Sequence, residues 1–125
     1  MNITIVIPIK NEVDSIKILY DEILNVMSKI ENINYEIFLV DDGSDDGSWD
    51  IVENICLKDK KVKGFKFTKN YGKSLALNFC FRKAESDILI TMDADLQDDP
   101  AEIPNILKSL NDSNSDCVVG WKKTR

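Results

Sequence analysis

The feature that most constrains this chain is a repeated switch in hydrophobic period. Ile3 to Pro8 (ITIVIP) is a β-branched run closed by proline, Tyr35 to Val40 (YEIFLV) is a second apolar run, and Asp87 to Met92 (DILITM) is a later one. Continuous apolar runs of this length are the pattern of strands buried on both faces. Between them the apolar residues step by three and four. Ile16, Leu19, Ile23, Met27 and Ile30 trace one helical face from about Val13, with Asn11 or Asp14 placed to cap it. Ile51, Val52, Ile55 and Cys56 mark a shorter helix, and Val62 to Phe67 (VKGFKF) alternates as a strand. Gly72 precedes a helix from about Lys73 to Ala84, whose inner stripe is expected to be Ala76, Phe79, Cys80 and the stem of Lys83. Pro100 opens a helix through Ile103, Ile106, Leu107 and Leu110, and Cys117 to Gly120 (CVVG) reads as a fifth strand. Strict alternation of strand and helix requires right-handed crossovers. The predicted fold class is therefore α/β, with a mostly parallel sheet flanked by helices in one unit spanning residues 1–125.

A chain of 125 residues buries one ordinary core. The net charge of -6 argues against a nucleic-acid partner held through phosphate contacts, and makes metal ions the more natural ligands. Met1 leads straight into a strand, so no signal peptide is expected, and no apolar run is long enough to cross a bilayer. Cys56, Cys80 and Cys117 lack any CxxC spacing and are expected to be structural thiols in a reducing compartment. The sequence contains no histidine, so chemistry here must run on carboxylates.

In a parallel α/β sheet, ligands bind beyond the carboxyl ends of the strands. Asp41 and Asp42 follow the second strand there, and Asp93 and Asp95 follow the fourth. Like charges gathered at one edge repel unless a cation or hydrogen-bond donors compensate them. Asp93 and Asp95, two residues apart in TMDADLQDDP, are spaced to address one hard cation, with ligand positions left for substrate phosphates. Asp98 and Asp99 have a competing reading as turn and cap residues ahead of Pro100, and Asp45, Asp46 and Asp50 are read as turn and cap residues after the second strand.

Three other motifs compete for these residues. Counted from Asp42, the stretch DDGSDDGSWDIVE has oxygen ligands at positions 1, 3, 5 and 9, Gly47 at 6 and Glu53 at 12, the spacing of an EF-hand. An EF-hand needs a helix leading into position 1, whereas YEIFLV is short and β-prone; Trp49 also stands where an aliphatic residue belongs. A haloacid-dehalogenase-like pair of aspartates belongs on the first strand, with Thr or Val two residues on; here the strand is the fourth and the residue is Gln97. Gly72 to Ser74 (GKS) resembles the end of a P-loop, but Phe67 stands where that loop needs glycine. Lys73 remains a candidate phosphate contact near a helix N-terminus.

The blocks IVIPIKNE, LVDDGSDDGS, NYGKSLAL, ILITMDADLQDDP and VVGWKKTR, in this order and over nearly the whole chain, resemble family 2 inverting glycosyltransferases. The branch they resemble includes dolichyl-phosphate mannose synthase and bacterial polyprenyl-phosphate glycosyltransferases. The resemblance implies a Rossmann-like GT-A nucleotide-binding domain that takes a nucleotide-diphosphate sugar, UDP- or GDP-linked, with Mg²⁺ or Mn²⁺. It implies that Pro8, Glu12 and Asp42 line the base and ribose pocket with Asp41 beside it. It also implies Asp93 against ribose or metal, Asp95 as the principal metal ligand, and Gln97 beside metal or sugar phosphate. Lys73 and Lys122 would approach the diphosphate; the branch often carries Arg at the latter position.

The acceptor implied is a polyprenyl phosphate, whose anionic oxygen needs less help from a base than a hydroxyl. Family members are commonly much longer, so the chain is expected to be the donor-binding half of a GT-A domain, truncated on its C-terminal side. By the same resemblance the full protein acts in the cytoplasm at the inner face of the membrane, touching it through parts beyond Arg125. Two further functions compete: a nucleotide-sugar-binding module without turnover, or a transferase acting on a saccharide. A sugar-phosphate nucleotidyltransferase is disfavoured, because PIKNE replaces its Gly-rich, Arg-containing loop.

Overall fold

The β-branched head of the chain forms β1 (Asn2–Ile9), and the two later apolar runs form β2 (Asn34–Asp42) and β4 (Ile88–Thr91), with β3 (Val62–Phe67) between them in sequence. The computed structural model describes residues 1–113. The strands lie in the order β3-β2-β1-β4, and every pairing is parallel. The connections are α1 (Ile16–Met27), α2 (Ser48–Lys58) and α3 (Lys73–Lys83); a 3₁₀ turn at Pro100–Glu102 leads into α4 (Ile103–Ser113). The fifth strand expected at Cys117 to Gly120, together with Cys117 and Lys122, lies outside the described residues.

Period two in the strands sorts the core into two layers. Ile3, Ile5, Ile7 and Ile9 face one side with Ile37, Leu39, Val62 and Ile90, packed by Ile16, Leu19 and Ile23 of α1, Val52 and Ile55 of α2, and Ile103 of α4. Val6, Phe38 and Val40 face the other side, where Ala76 and Cys80 of α3 cover them. Each fully buried isoleucine stabilises the fold by about 1.5–3 kcal/mol relative to exposure. Pro8 is tolerated in a central strand because the Val6 carbonyl accepts from Met92, which turns the even-numbered residues toward β4, and β4 ends opposite Val6.

The structure departs from the periodicity in a few places. α1 starts at Ile16 with Ser15 as N-cap, rather than near Val13 with Asn11 or Asp14. The amides of Ser15 and Ile16 both donate to the Glu12 carbonyl, so residues 12–15 form a turn, and Asn11 takes a positive φ of 54°. At the other end, i to i−3 bonds at Lys29 and Ile30 close the helix after Met27. On α3, Ala76 and Cys80 are buried and Phe79 is half-buried, but Lys83 is exposed, its ammonium lying over the Phe79 ring. Cys80 and the half-buried Cys56 are free thiols, and burial pushes the Cys80 thiol up to about 11.

Candidate functional site at the carboxyl edge of the sheet

β2 ends in Asp41 and Asp42, which strand geometry sends to opposite faces. Asp41 is fully buried; its Oδ1 accepts from the Ser44 amide at 3.1 Å, while Oδ2 meets no donor among the described residues. A buried carboxylate oxygen without a donor is costly and calls for an explanation. Asp42, 5% exposed, accepts from the amides of Tyr71 at 2.8 Å and Gly72 at 2.9 Å. It therefore ties β2 to the loop that begins α3, a task its sequence position does not announce. Gly43 follows with φ 76°, and a Cβ there would lie 2.6 Å from the backbone of Lys69 and Asn70.

Across the edge, the β1–α1 turn and the β2–α2 loop are laced together. The Asn11 amide donates to Ser44 Oγ and the Asp45 amide to Asn11 Oδ1, both at 2.9 Å. Lys10 Nζ donates to the Gly43 carbonyl at 2.6 Å, and the Glu12 amide to the buried Ser48 Oγ at 3.0 Å. Asp46 accepts from the Val13 amide and from both the amide and hydroxyl of Ser48, and the Ser48 hydroxyl bond leads in holding its carboxyl below the usual range. Glu12 is half-buried, its Oε2 lying 3.1 Å from Ser15 Oγ. This arrangement disposes of the calcium loop: a strand runs through Asp42, whose carboxylate faces α3, while Asp46 faces Val13 and Ser48. Asp46 serves as a turn residue, and Asp50 sits in the first turn of α2.

At the end of β4 the acids are arranged differently. Met92 and Ala94 are buried, while Asp93 is half-buried and Asp95 exposed, so DAD turns its alanine inward. Ser15 Oγ anchors the turn by donating to the Ala94 carbonyl at 2.5 Å. Asp95 Oδ1 accepts from the Gln97 amide across Leu96, whose φ is 66°. Asp93 Oδ1 pairs with Lys73 Nζ, so an acid and a base expected to act separately are joined here. Asp98 accepts from the Asp93 amide and Asp99 caps the 3₁₀ turn through Ala101, as turn and cap residues do. Gln97 is exposed. Among the described residues, no group of three or more His, Cys, Asp or Glu side chains could hold a metal ion.

Ser15 and Ser48 are the residues that periodicity misses. Both are buried and both bond across loops distant in sequence; the only signal for them is a small polar residue beside a helix start.

A parallel sheet of order 3-2-1-4 with acids gathered past two strand ends defines a Rossmann-like α/β domain. The chain belongs to glycosyl transferase family 2, whose model matches residues 4–125. It is 35% identical over 108 residues to the undecaprenyl-phosphate 4-deoxy-4-formamido-L-arabinose transferase of Aeromonas hydrophila, covering 86% of this chain and 33% of that protein. It is 34% identical over 120 residues to the dolichol-phosphate mannosyltransferase of Pyrococcus furiosus, covering 96% and 33% respectively. A mannosyltransferase of Pyrobaculum calidifontis, solved with GDP-Man and Mn²⁺, superposes with a TM-score of 0.73 at 27% identity, covering 86% of this chain and 32% of that one. The chain thus spans about a third of the length of these relatives. Among the described residues no helix is long and apolar enough to cross a membrane.

Proposed function

We propose that this chain is the donor-binding part of an inverting glycosyltransferase that moves a sugar from a nucleotide-diphosphate sugar to a polyprenyl phosphate. The observation that carries the reading is the pair of acid sites at the carboxyl edge, one buried beneath a laced loop and one turned outward, in a chain of family 2. The relatives named for undecaprenyl and dolichol phosphate support the acceptor class. By the family resemblance, Pro8, Glu12 and Asp42 would line the base and ribose pocket, with Asp41 beside it.

Asp93 and Asp95 offer hard carboxylate oxygens, and the ammonium already paired with Asp93 marks the spot as one where positive charge is stable. A divalent cation, Mg²⁺ or Mn²⁺, would be held there with Asp95 as principal ligand, Asp93 against it and Gln97 beside it, leaving positions for substrate phosphates. When bound, the cation supplies Lewis-acid stabilisation of the charge that builds on the departing nucleoside diphosphate. Lys73 at the start of α3 would approach that diphosphate, the role the resemblance also gives Lys122, which lies outside the described residues. An acceptor phosphate, anionic at neutral pH, attacks the anomeric carbon opposite the leaving group without needing a base, which suits a site with no histidine.

Calorimetric titration of UDP and GDP with and without Mn²⁺ tests the reading. The ion strengthens binding of one nucleotide, and Asp95→Ala abolishes the strengthening; equal affinities in both proteins, with metal and with chelator, remove Asp95 from the site. A second reading, a nucleotide-sugar-binding fragment without turnover, draws support from the one-third coverage of the relatives. Productive attack depends on holding both reactants, worth up to roughly 7–11 kcal/mol of barrier. Radiolabelled UDP- and GDP-sugars incubated with polyprenyl phosphate or an oligosaccharide separate binding from transfer and identify the acceptor. Donor binding without product favours the fragment; labelled lipid assigns turnover to these residues.

A further inference from the structure

Charge is strongly segregated along this chain. Nine of its 16 Lys and Arg residues fall between Lys58 and Lys83, where Asp59 is the single acid, giving that segment a net charge of +8 in a protein whose total is -6. The segment is β3, the edge strand of the sheet, with α3 packed beside it. Between them runs a trough of about 320 Å³ lined by Phe67, Tyr71, Leu75, Asn78, Phe79 and Arg82. Leu75, Asn78, Phe79 and Arg82 recur at helical steps, so one flank of α3 supplies most of the wall. Tyr71 and Leu75 are each 48% exposed, large apolar surface that the fold leaves uncovered.

The cations around this trough are differently engaged. Lys63 is held by Glu36 at 3.5 Å and Lys73 by Asp93. Lys69 lies over the Tyr71 ring at 5.4 Å and Lys83 over the Phe79 ring at 5.7 Å, while Arg82 lines the trough; none of these three forms an ion pair among the described residues. An apolar channel rimmed by uncompensated cations on long alkyl stems matches the boundary between acyl chains and anionic headgroups. A single-stranded nucleic acid would need free aromatic faces for its bases. Phe67 and Phe79 instead lock edge-to-face at 5.5 Å, and Phe67 meets Tyr71 the same way at 5.7 Å.

We propose that the α3 flank is a docking surface for an anionic lipid bilayer, with acyl carbon entering the Tyr71–Leu75 trough and Lys69, Arg82 and Lys83 meeting headgroup phosphates. The expectation that membrane contact belongs to parts beyond Arg125 is thereby extended to this chain itself. The proposal does not depend on the donor reading, because none of the three cations belongs to the carboxyl-edge site.

Co-sedimentation with vesicles of phosphatidylcholine alone, and of phosphatidylcholine mixed equally with phosphatidylglycerol, tests it. The protein pellets with the anionic vesicles and stays in solution with the neutral ones. Each cation near such a surface strengthens binding roughly fivefold, so Lys69→Glu, Arg82→Glu and Lys83→Glu combined weaken it by on the order of a hundredfold or more. Thermal unfolding and nucleotide affinity of that variant match the parent, since all three side chains are exposed. The neutralising triple, with Gln at the same positions, shows an intermediate loss and guards against misfolding of the first. Tyr71→Ser with Leu75→Ser makes the remaining binding more sensitive to salt. Equal binding to both vesicles, binding to neither, or an unchanged triple variant overturns the proposal. So does single-stranded RNA that binds the same residues more tightly than vesicles do.

Discussion

Asp41 and Asp42 end β2 at 0% and 5% exposure, with three backbone amides bonded to their carboxylates, whereas Asp93 and Asp95 follow β4 in an open turn where one pairs with an exposed lysine and the other faces solvent. The same residue type at equivalent places in one sheet thus does two different jobs. At β2 the carboxylates help build the wall, fixing the β2–α2 loop and the entrance to α3 before any ligand arrives. At β4 Asp95 is exposed and bonded to the Gln97 amide, and Asp93 carries the Lys73 ion pair in an open turn. Preorganisation at one end and spare coordination at the other is what a site needs if one part recognises a rigid group and the other accepts a cation with its phosphates.

The largest test of that contrast is steric. Gly43→Ala drives a Cβ to 2.6 Å from the backbone of Lys69 and Asn70 at a φ of 76°, and is expected to cost about 3 kcal/mol or more in urea denaturation. Gly72→Ala is its control, with φ 99° but nothing within 4 Å, and is expected to cost only about 1–2 kcal/mol. Equal losses would mean that close approach of the two loops does not constrain the β2 end. Asp42→Ala comes next. It removes charge-assisted acceptors from the Tyr71 and Gly72 amides and is expected to cost about 2–4 kcal/mol, with faster amide exchange at both positions.

The β4 end is expected to respond in the opposite way. Asp95→Ala deletes an exposed side chain whose one bond among the described residues is to the Gln97 amide, so stability should stay within about 0.5 kcal/mol of the parent while the Mn²⁺ effect on nucleotide binding disappears. Lys73→Gln likewise breaks a pair whose lysine is 59% exposed, worth no more than about 1 kcal/mol. A large stability loss at Asp95, or a negligible one at Asp42, would erase the distinction between wall and open end.

What the sequence makes legible follows from the range of the interactions involved. Apolar runs such as ITIVIP and YEIFLV declare strands because burial on both faces leaves no other place for them, and alternation with helices then forces parallel order. The carboxyl-edge acids are legible for the same reason, since topology alone brings strands two and four to one edge. Ser15 is not legible: its hydroxyl serves a carbonyl 79 residues away, and nothing near it in sequence shows that Ala94 will be there. The start of α1 moves for a related reason, because Glu12 to Ser15 are taken up in a turn whose amides and side chains are laced to the next loop. Lys83 misleads in the other direction, its helical position pointing inward while the side chain is exposed with its ammonium over the Phe79 ring.

The smallest expected effect comes from Asp46, which belongs to the β2 side but sits at the surface. Its carboxyl is held below the ordinary value of 3.8, first by the Ser48 hydroxyl and then by the amides of Ser48 and Val13. A carboxyl with a lowered folded value contributes stability that is present above its unfolded value and is lost as pH falls through the folded one. The window is therefore acid: at neutral pH the bonds to Ser48 and Val13 are intact, and below pH 3.8 protonation progressively weakens them. Asp46→Asn is expected to change neutral stability only slightly and to flatten the fall in stability below that pH, measured by urea midpoints across the acid range. If the variant and parent lost stability in parallel on acidification, the carboxylate would not be what laces Val13 to the Ser48 turn, and the fixed character of the β2 end would rest on Asp42 and Gly43 alone.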